Sequence, residues 1–257
     1  MRAIILAAGR GSRLSQSQGP QQPKCLLKFA GVSLLERHLR LLQAAGVTEV
    51  VMALGFEHRI IEAELLRLAA LGLPRPEIVI NERFTLGSVL TVQVVADAMR
   101  RGGDVLLMDA DVLYDARIMQ ALAGGATPSN RILIDRDFET GDEPVKVCVR
   151  DGIPVELRKQ VAPDLQYDTI GESVGFFRFD ERAARRLAEL VADCVESGRA
   201  NLPHEETVRD LILERSQVFQ IVDVTGAPWI EIDFPADVER AAREVLPQLV
   251  PQSGAAA

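Results

Sequence analysis

Between Arg2 and Met108 short apolar runs alternate with amphipathic stretches, and this alternation leaves few folds open. Ile4-Ile5-Leu6, Glu49–Leu54, Glu77–Asn81 and Asp104–Met108 read as short strands. The first is apolar throughout and bounded by Ala and Gly, as strands buried on both faces of a parallel sheet are. Leu34, Leu35, Leu39 and Leu42 recur at helical spacing behind Ser33, a predicted N-cap with Glu36 three residues on, and Gly46 ends that helix. His38 falls on the same face and reads as a packed or boundary histidine. Ile60, Ile61, Leu65, Leu68 and Leu71 mark a second helix stopped by Gly72 and Pro74, and Val89 to Met99 a third. The order βαβαβαβ predicts an α/β fold, a Rossmann-like three-layer α/β/α arrangement around a mostly parallel sheet.

After the predicted strand Ile132–Asp135 the pattern changes. Glu143–Val149 and Ile153–Lys159 alternate on either side of Asp151-Gly152, which predicts a hairpin. Glu172–Phe179 follows as a strand, Glu181–Glu196 as an amphipathic helix, Thr207–Arg215 as further helix, and Val218–Val224 and Trp229–Asp233 as strands. Phe234-Pro235 opens a last helix with Asp237 in its first turn. There is no internal repeat and no linker-like stretch. Residues 1–250 are therefore expected to form one domain, with 145–179 as a β-rich lid and 251–257 as a disordered tail.

In open α/β sheets ligands sit beyond the carboxyl ends of the strands. The loop after Ala8, the segment Asn81–Ser88 and Asp109-Ala110-Asp111 all fall there. Gly9 and Gly11 let the backbone approach a ligand closely, and Arg10, Arg13 and Lys24 add positive charge, so the first loop reads as a phosphate cradle. An ordinary βα turn with surface arginines stays open on these residues alone. A dinucleotide fingerprint is disfavoured, because Leu14 stands where its third glycine belongs and the polar run Ser15–Gln22 predicts a long loop. Asp111 and Asp233 each end a predicted strand. Two such carboxylates suit a hard cation such as Mg²⁺, with capping of the following turn or helix as the alternative.

The run L-A-A-G-x-G-S-R-L from Leu6 to Leu14, a polar loop, and P-K-C-L-L from Pro23 together resemble the nucleotidyltransferase family that joins a nucleoside triphosphate to a phosphorylated small molecule. The members most alike are the cytidylyltransferases acting on phosphocholine and on 2-aminoethylphosphonate, and the resemblance spans roughly Arg2 to Asp237. It implies a nucleotide-diphospho-sugar transferase-like fold, Mg²⁺ as cofactor, and CTP with a small phosphorylated or phosphonate acceptor as partners. The acceptor's oxygen would attack the α-phosphorus in line and pyrophosphate would leave. No base is required, since a phosphate monoester with a second pKa near ~6 is mostly dianionic at neutral pH.

By the same resemblance Arg13 and Lys24 are catalytic, holding the triphosphate and the α-phosphoryl group. Leu6, Ala7, Ala8, Gly9, Gly11, Ser12, Ser88 and Asp109 would bind the nucleotide. Asp111, and Asp233 through W-I-E-I-D, would bind the metal. Lys146 in a K-V segment, Lys159, Glu172 in the G-E-x-x-G strand and Glu205 would face the acceptor. Solvated strand lysines are the alternative for Lys146 and Lys159.

Composition narrows the partners. A formal net charge of -8 argues against a general nucleic-acid binder, while local cations can still hold phosphates. Cys25, Cys148 and Cys194 show no metal or disulfide spacing, which suits a reducing cytoplasm. Neither a signal peptide nor a membrane-spanning run is expected. A homodimer is left open. So is the acceptor: choline favours an aromatic cage, a primary amine favours carboxylates, for which Glu172, Asp115 and Glu205 are available. Asn81–Val89 is less glycine-rich than in sugar-1-phosphate members, so sugar-1-phosphate or inositol-phosphate transfer stands second. The reading of another class is a non-catalytic nucleotide-binding regulatory protein, against which the presence of Arg13, Lys24, Asp111 and Asp233 weighs.

Overall fold

A computed structural model describes residues 1–15, 22–125 and 130–250, so most of the predicted polar loop and the 251–257 tail lie outside the described residues. In chain order the elements are β1 (Arg2–Ala7), α1 (Ser12–Ser15), β2 (Lys28–Phe29), β3 (Val32–Ser33), α2 (Leu34–Ala44), β4 (Glu49–Leu54), α3 (His58–Ala70) and β5 (Glu77–Ile80). There follow α4 (Val89–Val94), α5 (Ala96–Arg100), β6 (Val105–Asp109), β7 (Val112–Tyr114), α6 (Ala116–Ala123), β8 (Asn130–Asp135), β9 (Lys146–Arg150) and β10 (Ile153–Arg158). The chain ends with β11 (Thr169–Phe179), α7 (Glu181–Glu196), α8 (Glu205–Glu214), β12 (Phe219–Asp223), β13 (Trp229–Glu231) and α9 (Pro235–Arg240).

The main sheet runs β10-β9-β11-β6-β1-β4-β5, with β8 added to β11 and β12 to β8. The strands β6, β1, β4 and β5 are parallel, as the βαβαβαβ pattern requires. Alternation along β1 divides the core. Ile4 joins the apolar layer under α4, α5, α7 and α8, while Ala3 and Ile5 join the layer under α2, α3 and α6. Two buried layers around one sheet make the predicted α/β/α sandwich, with helices covering both faces.

β11 turns the sheet from parallel to antiparallel. Its Phe176–Phe179 half pairs with β6, and its Thr169–Glu172 half pairs with β9. The register against β8 shifts between Ser173 and Phe177, around Gly175 at φ 77°. A glycine takes that conformation without Cβ strain, so the strand bends there and serves both neighbours. The 145–179 stretch, expected as a lid, is thus hydrogen-bonded into the main sheet: the β9–β10 hairpin continues it through β11. The hairpin turn itself forms as expected, with Asp151 and Gly152 both at positive φ (53° and 77°).

Several local expectations meet the structure. Ser33 caps α2 by accepting from the Glu36 N–H at 3.1 Å, but the Glu36 carboxylate turns to Arg40 and Arg67 instead of closing a capping box. His38 is fully buried, with Nδ1 3.2 Å from the Tyr114 hydroxyl and Nε2 3.3 Å from the Ala110 carbonyl. The helix predicted over Val89–Met99 is two helices, Val89–Val94 and Ala96–Arg100, that break at Val95. Ile60 and Leu71 of the second predicted helix face solvent, and only Ile61, Leu65 and Leu68 reach the core. No helix of the described residues is long and apolar enough to cross a membrane.

Candidate active site

The site grows from the carboxyl ends of β1, β4 and β6. Gly55 follows β4, and a Cβ on it would lie 2.8 Å from the Ala8 carbonyl and 2.6 Å from the Phe84 Cβ. Glycine there lets the first loop and the Asn81–Ser88 segment close against each other. Gly11 adopts φ 60° and lies over the stem of Lys24, 3.1 Å from its Cγ to where a Cβ would stand. Lys24 begins a single 3₁₀ turn ending at Leu26, which presents its ammonium to the β6 end.

A second, small antiparallel ribbon completes the cluster. β13 pairs with β7 with Glu231 opposite Val112, and Ile232 donates its N–H to the Asp111 carbonyl at 3.0 Å. Beneath it Phe29, Leu34, Leu113, Ile232, Ala241 and Val245 form a separate small core. That packing fixes Glu231 and Asp233, two residues apart and so on one side of the strand, against Asp111. One carboxylate oxygen each from Asp111, Glu231 and Asp233 lie within 4.8 Å of one another.

The Lys24 ammonium sits among them, 2.9 Å from Asp111 Oδ2 and 2.6 Å from Asp233 Oδ1. Burial would lower its pKa, but the charges and hydrogen bonds of Asp111 and Asp233 outweigh this and hold Lys24 above its ordinary value. The reciprocal contact holds Asp233 below the usual carboxylate range despite its burial. Glu231 is open to solvent as a residue, yet desolvation of its carboxyl in the cleft, then the Asp111 and Asp233 charges, hold it well above that range. Asp109 is likewise held high by burial, then by Asp111 and Glu205. An ammonium placed between carboxylates of a three-carboxylate set marks a position for a cation, and hard oxygen donors of this number fit a divalent ion such as Mg²⁺.

The charges continue outward as an alternating chain. Arg13 Nη1 lies 3.2 Å from Asp233 Oδ2 and 3.1 Å from Glu143 Oε2, and its guanidinium stands 5.5 Å from the centre of the Phe234 ring. Lys159 Nζ lies 3.1 Å from the same Glu143 oxygen. Arg13, Lys24, Asp111, Asp233 and Lys159, far apart in sequence, are therefore brought together. Lys146 is oriented differently: its ammonium donates to the carbonyls of Gly141 (2.6 Å), Pro144 (3.3 Å) and Lys159 (2.7 Å).

Beside this chain opens a cleft of about 560 Å³. Nine of its lining residues are acidic and one, Arg240, is basic, and Phe138, Trp229 and Phe234 supply aromatic surface. The Trp229 indole N–H donates to Asp135 Oδ2 at 2.8 Å, which fixes the ring. Glu172 lines the cleft, and burial, then Asp135, pushes its pKa up to about 7. Glu205 does not line it. It lies instead with His204, whose Nδ1 is 3.1 Å from Glu205 Oε2 and 3.2 Å from the Ser88 hydroxyl, and whose Nε2 is 3.9 Å from Asp109. Ser88 and Asp109 are thus joined through His204, which sequence reasoning passed over. Leu6, Ala7, Gly9 and Gly11 line a smaller hollow with Lys24 and Asp111. Ala8 is buried beneath it, and Ser12 opens the short α1.

Sequence reasoning also missed Glu231 and Glu143. Glu231 was legible, since it shares the strand face of Asp233 in W-I-E-I-D. Glu143 carried no signal, because its role depends on two cations from distant segments.

A MobA-like NTP transferase domain model matches residues 3–173, which contain the first loop, the β6 end, the β9–β10 hairpin and the start of β11. The chain belongs to that family. A curated relative from Thermococcus kodakarensis, a bifunctional IPC transferase and DIPP synthase, is 25% identical over 98% of this chain and 52% of its own length. A CMP-5'-(3-aminopropyl)phosphonate synthase from Streptomyces rubellomurinus is 25% identical over 94% of this chain and 38% of its own. The chain thus spans about half or less of the length of these relatives. The solved inositol-1-phosphate CTP transferase of T. maritima superposes with a TM-score of 0.73 at 20% identity, covering 97% of this chain and 98% of that one. The mixed sheet with helices on both faces is therefore the fold of the MobA-like NTP transferases and their nucleotide-diphospho-sugar transferase neighbours.

Proposed function

We propose that the chain transfers a cytidylyl group from CTP to the phosphoryl or phosphonyl oxygen of a small acceptor that also carries a cationic nitrogen, with release of pyrophosphate. The observation that carries the transfer reading is the Lys24 ammonium seated between Asp111 and Asp233 above the glycine loop, a cation position at the mouth of an anion cradle. Asp111, Asp233 and Glu231 would hold Mg²⁺, which when bound neutralises charge on the triphosphate. Arg13 and Lys24 bind the triphosphate and oppose the charge that develops on the α-phosphoryl group. Lys159 holds the acceptor's anionic end against Arg13, so that its oxygen faces the α-phosphorus; the new P–O bond forms as the α–β bridging bond breaks. Two anions approach each other here, so positioning and electrostatics supply most of the rate. No side chain need take a proton, because the attacking group is an ionised oxygen.

The acceptor's other end is read from the cleft. An excess of carboxylates, with Trp229, Phe138 and Phe234 among them, suits an ammonium or quaternary ammonium head and repels a second anion. The phosphonate relative from Streptomyces, named for an aminopropylphosphonate product, supports the same reading. The T. maritima structure, an inositol-1-phosphate CTP transferase, supports inositol phosphate as the second reading. Pyrophosphate release with Mg²⁺ tests all of this: four nucleoside triphosphates against phosphocholine, 2-aminoethylphosphonate, inositol phosphate and hexose-1-phosphates. Release with CTP and an amino or trimethylammonium acceptor is expected. Release only with inositol or a hexose phosphate would replace the acceptor reading, and CTP binding without release would favour a non-catalytic nucleotide-binding protein.

A further inference from the structure

One oxygen in the site is shared in an unusual way. Glu143 Oε2 accepts from Arg13 Nη1 and from Lys159 Nζ, at 3.1 Å each. The two cations that the proposed transfer directs at triphosphate and acceptor therefore converge on one carboxylate oxygen of the protein itself. A phosphoryl oxygen of an acceptor held by Lys159 beside Arg13 would need that same position, so Glu143 and the acceptor compete for it.

Glu143 lies on the 136–145 segment, one wall of the acidic cleft, running from the end of β8 to the start of β9. From Arg136 to Glu143 only Phe138 is other than exposed, so little apolar burial opposes movement. Polar contacts hold the segment: Glu143 to Arg13 and Lys159, Asp142 to Gln160 at 2.8 Å, Glu139 to Arg240 at 3.1 Å, and the Lys146 ammonium to the Gly141 and Pro144 carbonyls. The Lys146 and Gln160 contacts tie the segment to the β9–β10 hairpin and can act as its hinge side. The Glu143–Arg13 and Glu139–Arg240 contacts cross to α1 and α9, while the Glu143–Lys159 contact returns to the end of β10.

We propose that the 136–145 segment is a flap over the acceptor cleft, latched in the substrate-free protein by Glu143 occupying the oxyanion position between Arg13 and Lys159, and released when the acceptor's phosphoryl oxygen takes that position. This rests on the transfer reading for the identity of the ligand, but not for the latch itself. The flap links the two ends of the acceptor: its anionic end displaces Glu143, and the freed carboxylate then faces the cleft that receives the cationic end. A cation without an anionic group would not open the latch.

Glu143→Gln keeps the shape and removes the charge. Both ion pairs are half-exposed, so each contributes little, and the variant is expected to bind inorganic phosphate roughly three- to tenfold more tightly than the wild type in low-salt titration calorimetry. In the Lys159→Met background the same change should gain less, because one of the two cations is gone. Hydrogen exchange gives an independent reading. Amides of 136–145 should be slower to exchange in the free wild type than in Glu143→Gln, and saturating phosphate should raise the wild type to the variant's rate. Equal or weaker phosphate binding by Glu143→Gln, or exchange in 136–145 that neither the variant nor phosphate alters, would overturn the latch. Neither measurement uses nucleotide or turnover. A silent pyrophosphate panel with an intact phosphate response would refute the transfer reading alone, and turnover with an unresponsive flap would refute the latch alone.

Discussion

Replacing Lys24 removes the ammonium that lies 2.9 Å from Asp111 and 2.6 Å from Asp233, and leaves carboxylates crowded together without a cation. The size of the effect follows from burial. The side chains of Lys24, Asp111 and Asp233 are 15%, 20% and 25% exposed, between a surface pair worth under about 1 kcal/mol and a buried pair whose disruption costs about 3–5 kcal/mol. A loss of about 2–3 kcal/mol is expected, or about 4–12 °C in Tm for a chain of this size. Lys24→Met is the better variant, because the aliphatic stem packs under Gly11 and methionine keeps that contact while removing the charge. Divalent cations should then behave differently in the two proteins. In Lys24→Met Mg²⁺ enters a position no longer held by an ammonium, and at about ten times its Kd restores about 1.4 kcal/mol. In the wild type it must first displace the lysine, so without nucleotide it should stabilise less. Differential scanning fluorimetry across a Mg²⁺ series reads both effects. A Lys24→Met protein with unchanged Tm, or an equal Mg²⁺ response in both proteins, would refute the reasoning.

Asp111→Ala should lower Mg²⁺-dependent turnover by at least about 10²-fold while circular dichroism shows the fold intact; substantial Mg²⁺-dependent activity would remove Asp111 from the metal set. Lys159→Ala should raise the acceptor KM more than the CTP KM, and the reverse pattern would move this lysine to the triphosphate. For Glu172, whose folded pKa of about 7 lies above the ordinary 4.5, the folded state binds its proton more tightly; the associated stability is complete below about pH 4.5 and is lost as pH rises through 7. Glu172→Gln should therefore be more stable than the wild type by about 1–2 kcal/mol at pH 8, after allowance for the open cleft, with the gap closing toward pH 4.5 in urea melts. Gly175→Ala should cost about 1–2 kcal/mol for its φ of 77° and also displace Asp109, because the new Cβ would stand 2.6 Å from Asp109 Oδ2; an unchanged Tm would show that β11 can bend without glycine.

What the sequence determined by itself is what local periodicity encodes. The apolar runs at Ile4–Leu6 and Glu49–Leu54 and the leucine spacing of α2 read directly as strand and helix, because side-chain period reports which faces must leave water. Gly9, Gly11, Arg13 and Lys24 could be read as an anion loop because backbone approach and charge come from neighbouring residues. The break at Val95 and the bend at Gly175 were less visible, since each is settled by packing against several partners at once. The site needed more. Asp111, Glu231 and Asp233 meet only because β13 pairs with β7 over a small core of its own, although some 120 residues separate the strands. No local pattern specifies that register. The same holds for the shared Glu143 oxygen and for the acidic wall around Trp229, where charges too far apart along the chain to interact are held near one another by the folded sheet. Sequence fixes which faces are apolar and which loops can bend; only the closed tertiary structure decides which distant charges face each other, because electrostatic contact depends on distance in space.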